Sequence, residues 1–383
     1  MADRRRLPVA RLVLLVPGGL ALLAGLDAAL MLLGLPAPVR ADRLPEVHGV
    51  LLVLGFVGTI VALERAVALG RAWGFLSPAA LGLGGLLLLT PAPLDVGRWL
   101  LVAGAAVLVA VYRPLWRRAP AAAVLVQAGG AVLGTGGALL WAGGVPVPWL
   151  LPWLVGFLVL TIAGERVELA RVGALQAGAE RAALAVATAV LVATLAALLW
   201  PVAGYALLGA SLLGLAAWLS RFDVARRTVR GTGLPRYMAV CLLAGYAWLA
   251  VVGATWLLRG PVVDGGGYDV VVHAVFLGFV MSMVMAHAPV ILPAVLRRPL
   301  PYHPALYGPV VLLHTTLVLR TAVGDVHGVR WAWQAGGVGN IVAVLAFVAL
   351  VVWSLLAGGR RPSRPQRTPT DPTVAPGRVA VEA

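Results

Sequence analysis

Histidine is scarce in this chain, at 6 of 383 residues, and two of the six stand at matching places. His48 and His273 are each the fourth residue of a long apolar run, in "HGVLLVLGF" (His48 to Phe56) and "HAVFLGF" (His273 to Phe279). An imidazole held in an apolar helix is the axial ligand a membrane haem iron takes on each side, while nearby arginines pair with the propionates. Two imidazoles at equal depth therefore make a candidate b-type haem site. Arg43 and Arg330 are the leading propionate partners, from a group at the same face that includes Arg40 and Arg320. The competing reading is a pair of interfacial side chains bonded to water or backbone.

A second polar set recurs with fixed spacing. "GFVGTIVALER" from Gly55, "GFLVLTIAGER" from Gly156 and "GFVMSMVMAHA" from Gly278 each carry Gly-Phe, seven mostly apolar residues, and then Glu64, Glu165 or His287. Two carboxylates and an imidazole could bind copper or another metal at a second site, or relay protons. Met283, four residues before His287 on one helical face, adds a soft donor for Cu(I), although such methionines more often fill gaps between helices. The plain alternative makes Glu64–Arg65 and Glu165–Arg166 neutral pairs at helix ends, the arginines snorkelling outward. His287 follows His273 by 14 residues, about 21 Å of helix, so the two sets are separate sites. His314 lies in the middle of a further apolar run, where an ionisable group normally faces a cavity or a partner, and is a candidate third ligand or gating group. His303 and His327 fall in loops.

The elements that must position these groups follow from composition. With 61% hydrophobic residues, 12% charged residues and a mean hydropathy of +0.94, the chain is far more apolar than a soluble domain. Runs of about 20 apolar residues bounded by charge or Pro/Gly clusters predict twelve transmembrane helices. They lie near Val9–Gly34, Pro45–Leu69, Leu76–Thr90, Val96–Leu115, Ala121–Trp141, Val147–Gly164, Ala182–Trp200, Val202–Leu219, Tyr237–Leu258, Val270–Val295, Ala305–Val323 and Trp331–Leu356. All 30 basic residues are arginine, and with a cytoplasmic N-terminus 24 of them fall inside and six outside. That split is the positive-inside pattern of an inner-membrane protein with both termini cytoplasmic. The charge of +15 thus reads as orientation and contact with the lipid bilayer, not as a nucleic-acid surface. One cysteine, Cys241, excludes a disulfide framework and a thiolate zinc site. The glycines of "QAGGAVLGTGGALLWAGG" (Gln127 to Gly144) lie in a span and read as close helix packing rather than as a phosphate cradle. From Gly358 to Ala383 the Pro-, Arg- and Thr-rich composition predicts a disordered cytoplasmic tail after a membrane domain of residues 1–357.

The three Gly-Phe echoes fall in spans two, six and ten, an interval of four helices. The expected fold is all-α, with about 12 helices in three pseudo-repeated four-helix units near residues 9–115, 121–219 and 237–356. Twelve spans, a fourfold interval and outer histidines on the second and tenth helices resemble the haem–copper oxidase superfamily. The two histidine stretches are similar to those of NnrS-type membrane haem–copper proteins, associated with nitric-oxide tolerance. The resemblance implies a bis-histidine haem at His48 and His273 and a small gas or redox partner. It does not imply oxygen reduction, because spans six and seven contain no histidine and valines, Val271 and Val275, flank His273. The expected function is electron transfer, NO or O2 sensing, or nitrosative-stress tolerance. A different class of function, a proton-coupled transporter, would use Glu64, Glu165, His287 and His314 along one path.

Overall fold

The computed structural model describes residues 9–172 and 177–358. A chain segment in hydrocarbon has no water to satisfy its amides, so it closes its own hydrogen bonds as helix. Every regular element among the described residues is helical. The membrane-length helices, in chain order, are α1 (Val9–Leu32), α2 (Arg43–Leu69), α3 (Ala72–Leu88), α4 (Leu94–Arg118), α5 (Ala122–Ala142), α6 (Val147–Val172), α7 (Ala177–Leu199), α8 (Pro201–Phe222), α9 (Gly233–Arg259), α10 (Gly265–Leu296), α11 (Pro304–Asp325) and α12 (Arg330–Gly358). Eleven are long and apolar enough to cross a bilayer, and α3 is a shorter apolar helix opened by a single 3₁₀ turn. The protein is an all-α polytopic membrane protein. The expected tail, beyond Gly358, and Arg4, Arg5 and Arg6 lie outside the described residues.

Burial separates the helices by role. In α6, 83% of the most apolar stretch is buried, against 33% in α1, α7 and α12, so α6 runs through the interior of the bundle. The outer surface carries Leu20, Val202, Leu258 and Val352, apolar residues whose natural contact is acyl chain. Trp99, Trp200, Trp331 and Trp353 are exposed near helix ends, where amphipathic rings settle at the headgroups. Close approach is bought with small residues. A Cβ on Gly130 of α5 would come within 2.8 Å of the Phe157 carbonyl of α6, and one on Gly85 of α3 within 3.0 Å of the Gly55 Cα of α2.

Two of the helices that carry the repeated motif are not uniform α-helix. In α2 the stretch Leu51–Gly58 is wound as π-helix, and in α10 so is Ala274–Met281, each 8 residues and each just past its histidine. In both, the residue after the π stretch is a hydroxyl four positions beyond the motif glycine. Thr59 N–H is given to the Phe56 carbonyl and Ser282 N–H to the Phe279 carbonyl, so Gly55 and Gly278 lose the bond an α-helix would supply there. Thr59 Oγ1 donates to the Gly55 carbonyl at 2.7 Å and Ser282 Oγ to the Gly278 carbonyl at 2.6 Å instead. The third echo differs. In α6 the hydroxyl, Thr161, comes one residue later, donates to the Phe157 carbonyl at 2.7 Å, and the helix stays α throughout.

Candidate functional site

The outer site is built from α1, α2, α10, α11 and α12. His48 Nδ1 donates to the Gly25 carbonyl of α1 at 2.9 Å, and His273 Nδ1 donates to the Asp269 carbonyl one turn back at 2.7 Å. A carbonyl can only accept, so both rings carry their proton on Nδ1. Neither Nε2 has a hydrogen-bond partner among the described residues, which leaves on each ring the lone pair a metal would use. Asp269, whose carbonyl holds the His273 ring, also links it to Arg320, a residue 7% exposed. Arg320 Nη2 stands 3.8 Å from Asp269 Oδ2, its charge lies over the Trp333 ring at 5.4 Å, and Trp333 Nε1 donates to the same carboxylate at 3.3 Å. Arg320 Nε and Asp325 Oδ2 are both buried without a partner. α12 meets Arg320 with Gly336 and Gly337, where a Cβ would come within 2.6 and 2.7 Å of Arg320 atoms. Of the arginines singled out by position, Arg320 is thus the one beside the histidines. Arg43 instead donates to the Thr90 and Ala92 carbonyls, bracing the end of α3, and Arg330 is exposed at the start of α12.

The protonation state of the two imidazoles is that of axial haem ligands. Two neutral imidazoles have Nδ1 fixed by backbone and Nε2 free, and Arg320 is a buried cation with an unused donor. His48, His273 and Arg320 are the residues that would hold a haem.

At the opposite end of the bundle the three motif positions do come together. Glu64 from α2, Glu165 from α6 and His287 from α10 line one cavity of about 370 Å³, flanked by α1 and α12 and otherwise walled by apolar side chains and Thr161. Each has an arginine partner within the protein. Arg65 pairs with Glu64 and lies 3.8 Å from Glu165 Oε1, so one guanidinium serves both carboxylates. Arg166, expected beside Glu165, turns away to Asp223, with Nε to Oδ2 at 2.6 Å and Nη2 to Oδ1 at 3.1 Å. Asp223 is completed by Tyr246 Oη at 2.8 Å and the Ala225 amide at 2.7 Å. Arg166 Nη1 also donates to His287 Nε2 at 3.0 Å, while His287 Nδ1 donates to the Met283 carbonyl at 2.7 Å. His287 is therefore a neutral imidazole with both nitrogens engaged, and the two carboxylates and the imidazole stand in an ion-pair network. Among the described residues no group of three or more His, Cys, Asp and Glu is disposed to hold a metal ion.

His314 belongs to neither set. Its Nδ1 accepts from Trp248 Nε1 at 3.0 Å, and Nε2 faces Ser282 Oγ at 3.3 Å, beside the π stretch of α10. His314 is not among the residues that line the inner cavity with Glu64, Glu165 and His287. Asp223 is the functional-looking residue the sequence pattern did not raise. Its one signal was an acid just past the apolar run of α8 in the otherwise basic segment "SRFDVARR".

Fold and site together define a polytopic helical membrane protein with a histidine pair at one end of the bundle and a carboxylate-lined cavity at the other. The chain belongs to the family described as Domain of unknown function (DUF8744), whose model matches residues 11–356. No curated protein and no solved structure matches it.

Proposed function

We propose that the protein is an inner-membrane haem protein of the haem–copper-like class, holding a b-type haem between His48 and His273 and serving electron transfer or the handling of NO or O2. The observation that carries this reading is the shared state of the two imidazoles, each protonated on Nδ1 toward a backbone carbonyl and open at Nε2. Arg320, buried beside them with Nε unpartnered, is the propionate partner in this reading. A haem bound there would supply one-electron exchange, and the residues' own part is to fix the ring planes, exclude water and balance the propionate charge. The NnrS-like resemblance of the two histidine stretches supports the same class. The termini are assigned to the cytoplasm by the arginine split of 24 to 6.

The test is the visible spectrum of protein purified from haem-replete cells, oxidised and dithionite-reduced. Sharp reduced α and β bands are expected in the wild type and lost in both His48→Ala and His273→Ala, while Arg320→Gln keeps the bands and lowers the midpoint potential. A folded, colourless wild type would overturn the proposal.

A further inference from the structure

The charges that face the inner cavity do not sum to zero. Glu64 and Glu165 each contribute a carboxylate and share the single guanidinium of Arg65. Arg166 is matched by Asp223, and His287 is neutral because Nδ1 donates to one partner and Nε2 accepts from another. α1 and α12 contribute only apolar atoms and glycine to the lining; Arg11 of α1 keeps its charge but donates to the Val295 carbonyl outside the lining. The remaining titratable neighbours are Tyr112 of α4, buried with its hydroxyl unpartnered, and Glu168 of α6, which is exposed. Gln127 of α5 accepts from Arg65 at 3.1 Å and has its amide nitrogen buried without a partner. One net negative charge is left in an apolar chamber within the bundle. A charge so placed is neutralised by a proton or by a cation.

The shape selects which cation. The chamber holds about 370 Å³, more than a bare metal ion needs, and its walls are almost wholly aliphatic and aromatic. Gly19 of α1 and Val352 of α12 are both exposed and both line it, so it opens sideways between those helices toward the bilayer. We propose that this cavity binds a lipophilic monovalent organic cation, admitted from the lipid between α1 and α12 and held by the shared negative charge of Glu64 and Glu165. When the cation enters, the proton shared by the two carboxylates leaves one of them for the aqueous phase, so charge is conserved in the chamber. The site is independent of the outer histidines.

The probe is radiolabelled tetraphenylphosphonium, in equilibrium dialysis against full-length protein in detergent. The expected result is saturable binding of about one cation per chain that weakens as pH falls, with release of about one proton per cation into unbuffered medium. Glu64→Gln and Glu165→Gln should each weaken binding at least tenfold, and triphenylphosphine oxide, neutral and of similar bulk, should not compete. Gly19→Phe covers the case in which the glutamine variants do not fold. No atom lies within 4 Å of a Cβ built at Gly19, which lines the cavity, so a side chain starts there without backbone clash, and Gly19→Phe should abolish binding by filling the mouth. A folded wild type that does not bind the probe would overturn the proposal. So would binding that the neutral analogue displaces equally, or that folded Gly19→Phe retains.

Discussion

The least replaceable side chain in the inner network is Asp223. Its carboxylate is 1% exposed and takes donors from Arg166, Tyr246 and the Ala225 amide, so every lone pair it turns inward is used. Asp223→Ala would leave the Arg166 guanidinium, 4% exposed, with only a neutral imidazole as partner. Removing one member of a buried pair costs about 3–5 kcal/mol, whereas replacing both by apolar residues of similar volume is often neutral. Asp223→Ala should therefore lower the thermal midpoint of the detergent-solubilised protein strongly, and Arg166→Met with Asp223→Leu should recover most of the loss. An Asp223→Ala protein as stable as wild type would show that the pair is wetter than its burial indicates. The sequence placed Glu64, Glu165 and His287 at one level, but it could not say who neutralised whom. Adjacent residues on a helix point about 100° apart, so the neighbour in sequence need not be the partner in space: Arg65 does pair with Glu64, but Arg166 does not pair with Glu165. Arg166 reaches across to a different helix end for that reason.

Helices were the most legible level, because apolar length and bounding charge are set by the bilayer alone. The expected run Pro45–Leu69 became α2 at Arg43–Leu69, and Val202–Leu219 became α8 at Pro201–Phe222. The ends moved outward because a helix continues through polar residues until a cap or turn stops it. The π winding of α2 and α10 was not legible from apolar pattern, since it changes the hydrogen-bond partner and not the residue type. A signal did exist: "GFVGT" and "GFVMS" carry a hydroxyl four residues after the glycine, and "GFLVLT" carries it five after. The structure gives that difference an energetic meaning. Thr59 Oγ1 supplies the Gly55 carbonyl in place of the i+4 amide, which goes to Phe56, whereas Thr161 lies in unbroken α-helix. Thr59→Val is expected to cost about 0.5–1.5 kcal/mol, the net worth of one buried hydrogen bond, and more than Thr161→Val. Thr161→Val should cost less than about 1 kcal/mol, since a hydroxyl back-bond in a complete ladder adds little. Matched unfolding curves of the two variants decide it; equal losses would mean that the two hydroxyls have equivalent roles.

At the scale of the molecule, the helices that repeat the Gly-Phe motif are the ones that build the sites. α2 and α10 carry both histidines of the outer pair, and with α6 they bring Glu64, Glu165 and His287 to one cavity at the other end. The interval of four helices thus reads as a spatial rule: equivalent helices meet at the centre and present equivalent positions to it. What that rule means for the cell depends on which end faces which compartment, and here the arginines make a definite statement. Arg65, Arg166 and Arg171 lie at the end with the inner cavity, while Arg43 and Arg320 lie with the histidines. If α3 crosses as well as the eleven longer helices, both termini lie on one side, and the positive-inside rule puts the arginine-rich side in the cytoplasm. Green fluorescent protein fused after residue 358 should fluoresce, because it matures only in the cytoplasm. Alkaline phosphatase, active only outside, should be silent there and active when fused in the 260–264 loop between α9 and α10. The histidine pair would then face the periplasmic side, and the carboxylate cavity would exchange its proton with the cytoplasm. The reverse reporter pattern would invert both assignments at once. An active phosphatase at both positions would mean that α10, α11 and α12 make an even number of crossings, and so that one of them does not span.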